Sequence, residues 1–141
     1  MYLDSAYIAK YYVNEPDASA VRKLIRRATY VCSSSWAVVE VTCVFHRHVR
    51  ERSLSIEQGR ELTDVFRHHV ESNLWNLKPV TNGLLRKTAT LVRGLHTDVP
   101  LRAGDAIHLS TALEEGETEI WTNDRRLLEA ATHFGISGRS V

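Results

Sequence analysis

Cysteine is scarce: Cys32 and Cys43 are the only two, too few for the disulfide framework that holds small secreted domains together. The chain opens on Met1-Tyr2-Leu3-Asp4 instead of a basic segment and an apolar signal core, so the expected setting is a reducing cytoplasm. Long apolar runs are also missing. Even Trp36 to Phe45 is interrupted by Glu40 and Thr42, whereas a membrane-crossing helix needs roughly 20 apolar residues; the protein is expected to be soluble. Charge of one sign is not in excess either, with 18 Lys and Arg against 17 Asp and Glu. No global field draws the chain to nucleic acid, and any RNA contact has to be local. No linker, repeat or low-complexity stretch divides the 141 residues, so the expectation is one domain over residues 1–141 with one buried core.

What is present is an alternation of short apolar runs and helical periods. Met1-Tyr2-Leu3 reads as a brief strand ending at Asp4-Ser5, and helical pattern follows from about Ala6 to Val13. Asn14-Glu15-Pro16-Asp17 breaks it, and Val21, Leu24, Ile25 and Ala28 then recur at helical spacing. Tyr30-Val31-Cys32 is a second strand candidate, closed by Ser33-Ser34-Ser35, any of which can cap a helix from Trp36 to about Arg52. Ser55 to Glu71 is helical, Leu74 to Leu77 strand-like before Pro79, and Leu84 to Leu95 helical again. Leu101 to Glu115 reads as helix, Glu119 to Thr122 as strand, Asp124 as the start of a last helix, and Ile136 to Val141 as a final strand. Parallel connections need crossovers, so this alternation predicts an α/β fold with a mainly parallel sheet covered by helices on both faces.

Four acidic residues stand at informative places in that pattern. Asp4 and Asp124 fall at predicted strand ends, where ligands bind in open parallel sheets, although an Asp there is also an ordinary helix N-cap. Glu40 sits in a helix that Trp36, Ala37, Val38, Val39, Val41, Val44 and Phe45 make apolar nearly all round. A lone carboxylate in such a place needs a partner or a pocket. Asp105, within Leu101-Arg102-Ala103-Gly104-Asp105-Ala106-Ile107-His108-Leu109, is either a first-turn acid favoured by the helix dipole or a member of the same cluster. A hard divalent cation takes several oxygen ligands, and few positive side chains are expected near these four. Such a cation can lower the pKa of a bound water and offset charge on a phosphodiester, which points to phosphodiester hydrolysis.

These segments, together with Asn14-Glu15-Pro16 and Trp121-Thr122-Asn123-Asp124-Arg125-Arg126-Leu127, resemble a PIN domain of the VapC toxin group over essentially the whole chain. The resemblance implies a three-layer α/β/α fold and a Mg²⁺- or Mn²⁺-dependent endoribonuclease. It also implies a homodimer and inhibition by a cognate antitoxin. By position Asp4, Glu40, Asp105 and Asp124 match the family's acidic quartet of metal ligands, and Thr122 matches a polar position that supports water at the metal. Gly104 departs from the pattern, a larger apolar residue being more usual there; a glycine costs about 1 kcal/mol in a helix interior but little in its first turn.

Other features carry less. His46 and His48 lie on different helix faces and His68 and His69 are adjacent, so none of these pairs suits a transition-metal site. His108 shares a face with Asp105 but is expected to be packed or solvated and not catalytic. Arg22, Lys23, Arg26, Arg27, Arg47, Arg50 and Arg52 are expected to meet solvent unless they border the pocket. Tyr7, Tyr11, Tyr12, Trp36 and Trp75 can be core, interface or base-stacking groups. Two other functions remain open. One is a PIN-fold interaction module without catalysis. The other is an aspartyl-phosphate phosphoryl-transfer domain with Asp4 as nucleophile, which lacks the expected second Asp because residue 6 is Ala and lacks a lysine beyond Lys87.

Overall fold

The computed structural model describes all residues from Met1 to Val141. Five very short strands alternate with seven helices. In chain order they are β1 (Tyr2–Leu3), α1 (Ser5–Tyr12), α2 (Ala18–Arg27), β2 (Ser33–Ser34), α3 (Ala37–Arg50), α4 (Ile56–Glu71), β3 (Leu77–Lys78), α5 (Asn82–Arg93), α6 (Ala103–Glu114), β4 (Glu119–Trp121), α7 (Arg125–His133) and β5 (Ser137–Arg139). No helix is long and apolar enough to cross a membrane.

All pairings are parallel. β1 pairs with β4 (Tyr2 beside Ile120), β4 with β5 (Ile120 beside Gly138) and β2 with β3 (Ser33 beside Leu77). A single parallel bridge between Tyr2 and Cys32 joins the two groups, through Leu3 N–H to Cys32 O and Cys32 N–H to Met1 O, both 3.0 Å. The strand order is therefore β3-β2-β1-β4-β5, and it reverses between β1 and β4. Such a reversal opens a crevice at the carboxyl ends of the two strands.

Successive residues of a strand face opposite sides of a sheet, and β1 shows this directly. Leu3 belongs to a core with Tyr7, Ile8, Val21, Val41, Phe45, Phe66 and Trp75, beneath α1 to α4. Tyr2 belongs to a second core with Leu109, Ile120, Leu127 and Ala130, beneath α6 and α7. The result is the expected helix-sheet-helix layering. Tyr7, Tyr12 and Trp75 are core or packed on it, and Trp75 Nε1 donates to Tyr12 Oη at 2.7 Å.

Two strand expectations are corrected in position. The second strand is Ser33–Ser34, not Tyr30 to Cys32, because the pairing segment is a buried run of small polar residues, with the Ser33 hydroxyl donating to Leu3 O at 2.7 Å. Ser33–Ser35 do not cap α3. Ser34 Oγ accepts from Trp36 N–H at 3.2 Å and Ser35 Oγ accepts from Val80 N–H at 3.1 Å. The third strand starts at Leu77, after Trp75 has turned into the core and Asn76 has taken a positive φ of 43°.

Candidate active site

The four acids come from four distant stretches and line one cleft of about 620 Å³. Asp4 follows β1 at the reversal point, with its N–H donating to Trp121 O at 3.1 Å. It caps α1: Oδ1 accepts from Tyr7 N–H at 2.9 Å and Oδ2 from the Thr122 hydroxyl at 2.5 Å. Asp124 follows β4 and caps α7, accepting from Arg126 N–H at 2.8 Å. The capping role and a place in the cleft thus coincide in the same two residues. Thr122 is fully buried and ties them together, donating to Asp4 while its oxygen accepts from Asp124 N–H at 2.9 Å. Its only proton is thereby committed to Asp4, so the hydroxyl fixes the two acids and is not free to donate to water.

Glu40 projects from the first turn of α3. Both the Ser5 hydroxyl, at 2.5 Å, and His108 Nε2, at 2.9 Å, meet its Oε2. Its helix is less uniformly buried than its apolar sequence predicts: Ala37, Val41 and Phe45 are inside, but Val39 is 55% exposed. Glu40 lies on the cleft side with its carboxylate partly open to solvent. The anomalous Gly104 has a packing reason. It is the second residue of α6, and a methyl group there would come within 2.5 Å of Glu40 Oε1 and 3.2 Å of Trp36 Nε1.

Asp105, in the first turn of α6, and Asp124 share one guanidinium. Arg102 Nη2 lies 2.5 Å from Asp124 Oδ2, and Arg102 Nε lies 3.3 Å from Asp105 Oδ2. One positive side chain thus stands against two of the four carboxylates, in keeping with the expectation that such groups are too few to neutralise them all. Arg102 was not singled out in the sequence; its position three residues before Asp105, one helical turn, was the available signal. Of the basic residues that were singled out, Arg47 borders the cleft and also pairs with Glu15. Arg22 instead donates to Lys10 O at 3.0 Å. His48 is bound to Glu15 and Ser53 and His69 to Tyr12.

His108 is the other residue whose place differs from expectation. It is buried, as a packed histidine would be, but its ring is bonded to Glu40 and Ser5 on one nitrogen and to Tyr2 on the other. Its spacing of three from Asp105 was the readable sign; partners at Tyr2 and Ser5, over 100 positions away, were not.

Burial, ahead of hydrogen bonds from Thr122 and Tyr7 that act the other way, pushes the Asp4 carboxyl up to about 6. Burial pushes Glu40 upward too, but the hydrogen bond and charge of His108, then Ser5 and Trp36, outweigh it and hold this carboxyl below its ordinary value. Like-charge crowding is therefore not the leading effect on either acid.

The donor set is made of carboxylate oxygens, the hard ligands that Mg²⁺ and Mn²⁺ take, and the nearest imidazole is committed to its hydrogen bonds. No three acidic, His or Cys side chains stand close enough to hold an ion between them as they are, and a guanidinium bridges two of the carboxylates. The residues fit a hard divalent cation by chemistry, with Arg102 as the competing positive charge.

The sequence profile of the PIN domain matches residues 1–132. No curated protein matches the chain.

Proposed function

The chain belongs to the PIN-domain family, whose members are generally nucleases, and from that premise we propose that it is a Mg²⁺- or Mn²⁺-dependent endoribonuclease acting as the toxin of a toxin-antitoxin pair. The observation that carries the reading is the convergence of Asp4, Glu40, Asp105 and Asp124 on one cleft at the point where strand order reverses.

In this reading those four acids hold the cation, and Thr122 keeps Asp4 and Asp124 in place. The cation supplies activation of water and neutralisation of charge developing on the phosphodiester. Glu40 presents Oε1, the oxygen that Ser5 and His108 leave unclaimed. Arg47 and Arg102, on the cleft wall, offer guanidinium groups to RNA phosphates, which suits a protein whose net charge is only +1. The whole chain, residues 1–141, works as one domain, since Tyr2 and Leu3 of the same strand sit in its two cores. A homodimer and binding of a cognate antitoxin, in the cytoplasm, complete the proposal. The apolar groove between α5 and α6, where Leu85 and Val92 are exposed, offers a surface for such contacts.

The bridging of Asp105 and Asp124 by Arg102 favours one second reading, a PIN-fold interaction module without catalysis. An aspartyl-phosphate route has less support: Ala6 lines the cleft where a second Asp is needed, and Lys87 pairs with Glu114 instead. Incubation of the purified chain with a pool of structured RNAs and Mg²⁺ or Mn²⁺, beside EDTA and Asp105→Asn controls, tests the proposal. Cutting that disappears in both controls is expected. Cutting that persists in either, or none with any RNA and metal, goes against it.

A further inference from the structure

His108 is 2% exposed, yet every polar atom of its ring is used. Nδ1 lies 3.0 Å from the Tyr2 hydroxyl, and Nε2 lies 2.9 Å from both Ser5 Oγ and Glu40 Oε2. Ser5 Oγ is itself 2.5 Å from the same Glu40 oxygen. A serine, a histidine and an acid in contact suggest a nucleophile relay, but the connectivity excludes one. In a relay the acid and the serine hold opposite ring nitrogens. Here both meet Nε2, and the serine proton points to the carboxylate.

Counting protons gives the alternative. An ionised carboxylate only accepts, so Nε2–H and the Ser5 hydroxyl are both donors to Glu40 Oε2. The fully buried Tyr2 hydroxyl meets the other nitrogen, Nδ1, at 3.0 Å, so both ring nitrogens have a partner. A partner on one ring nitrogen decides which proton the other carries.

We propose that His108 is the positioning residue for Glu40: its Nε2–H, with the Ser5 hydroxyl, pins one oxygen of that carboxylate while Tyr2 holds the other ring nitrogen. This rests on the reading of the cleft as a cation-holding nuclease site. With Oε2 held from two sides, the carboxylate cannot rotate freely, and Oε1 stays in the hollow left by Gly104. The chain connects these groups economically: Tyr2 and Ser5 flank Asp4, and His108 lies one turn after Asp105. The segments that bring two of the acids to the cleft also carry the groups that orient a third.

The test uses the full chain labelled with ¹⁵N-histidine. In metal-free protein, long-range proton-nitrogen spectra are expected to show a proton on His108 Nε2, and Tyr2→Phe is expected to admit a ring protonated on Nδ1 alone. Calorimetric titration with Mn²⁺ alone is expected to show affinity about 10-fold weaker in His108→Leu, largely restored in His108→Gln, whose amide N–H can replace Nε2–H. A wild-type ring with no proton on Nε2 overturns the proposal, and so does a folded His108→Leu that binds Mn²⁺ as the wild type does. If His108→Leu does not fold, the Tyr2→Phe spectrum decides. If the wild type takes up no Mn²⁺ or cuts no RNA, the nuclease reading fails, while the proton on Nε2 still decides the role of His108.

Discussion

The four carboxylates divide into two pairs by what holds them. Asp4 and Glu40 are fixed by donors from the folded interior: a backbone N–H, the hydroxyls of Ser5 and Thr122, and the His108 imidazole. Those three side chains are all buried. Asp105 and Asp124 are spanned by Arg102, whose side chain is 58% exposed. The first pair therefore has its geometry set when the chain folds. In the second, although Asp124 Oδ1 is also held by the Arg126 N–H, the Oδ2 atoms of both acids meet a surface charge that salt screens and another cation can replace. Burial alone does not draw this line, because the Asp105 side chain is only 16% exposed. The difference lies in the chemistry of the partner.

The comparison can be broken most severely at Asp105. Asp105→Asn is expected to lower the rate of RNA cleavage on the order of 100- to 1000-fold, with an unchanged circular dichroism spectrum; retention of most activity would remove the Arg102-bridged pair from the chemistry.

The pH dependence of stability sharpens the other side. Asp4 binds its proton more tightly folded, at about 6, than at its ordinary 3.8. Its contribution to the metal-free protein is thus fully present below about 3.8 and is lost as pH rises through about 6, a swing of at most about 3 kcal/mol. Urea unfolding from pH 4 to 7 without metal should show this decline, and Asp4→Asn, which keeps a side-chain oxygen for the Tyr7 cap, should flatten it. An equal slope in both proteins would show that the interior does not strain Asp4.

A smaller effect is expected at the hollow beneath Glu40. Gly104→Ala removes the space that Oε1 occupies, so cleavage should fall about 10-fold. The cost to thermal stability should be small, because the atom in the way is the end of the flexible Glu40 side chain and a first-turn position carries little of the helix-interior difference of about 1 kcal/mol between glycine and alanine. Full activity with a displaced Glu40 would deny that its placement matters. The smallest effect belongs to Arg102. Its exposed ion pairs are weak, so Arg102→Ala should tighten Mn²⁺ binding by only about two- to fivefold, and added salt should reduce that difference; weaker binding would mean that the arginine assists the cation instead of competing with it.

The layering was legible in the sequence because apolar residues at helical spacing, such as Val21, Leu24 and Ile25, and short runs such as Met1-Tyr2-Leu3 report directly on burial. The positions of β2 and β3 were not, since Ser33–Ser34 carry no apolar signature and Trp75 drew the strand toward itself while packing elsewhere. The four acids could be read as candidates because strand ends and helix starts are local features. Their partners could not. The Glu40–His108 contact spans 68 positions and Tyr2–His108 spans 106, and which of seven histidines meets a carboxylate is decided by how α3 and α6 pack around β1. Arg102 lay between the two kinds of signal, next to Asp105 in sequence but joined to Asp124 only through the fold.

The most direct measurement is calorimetric titration of Mn²⁺ into the metal-free wild type, Asp4→Asn and Asp105→Asn, one residue from each pair. Saturable binding in the wild type that is lost in both variants is predicted, because the two pairs make one site. Binding of equal strength in all three proteins, or none in the wild type, would contradict the account.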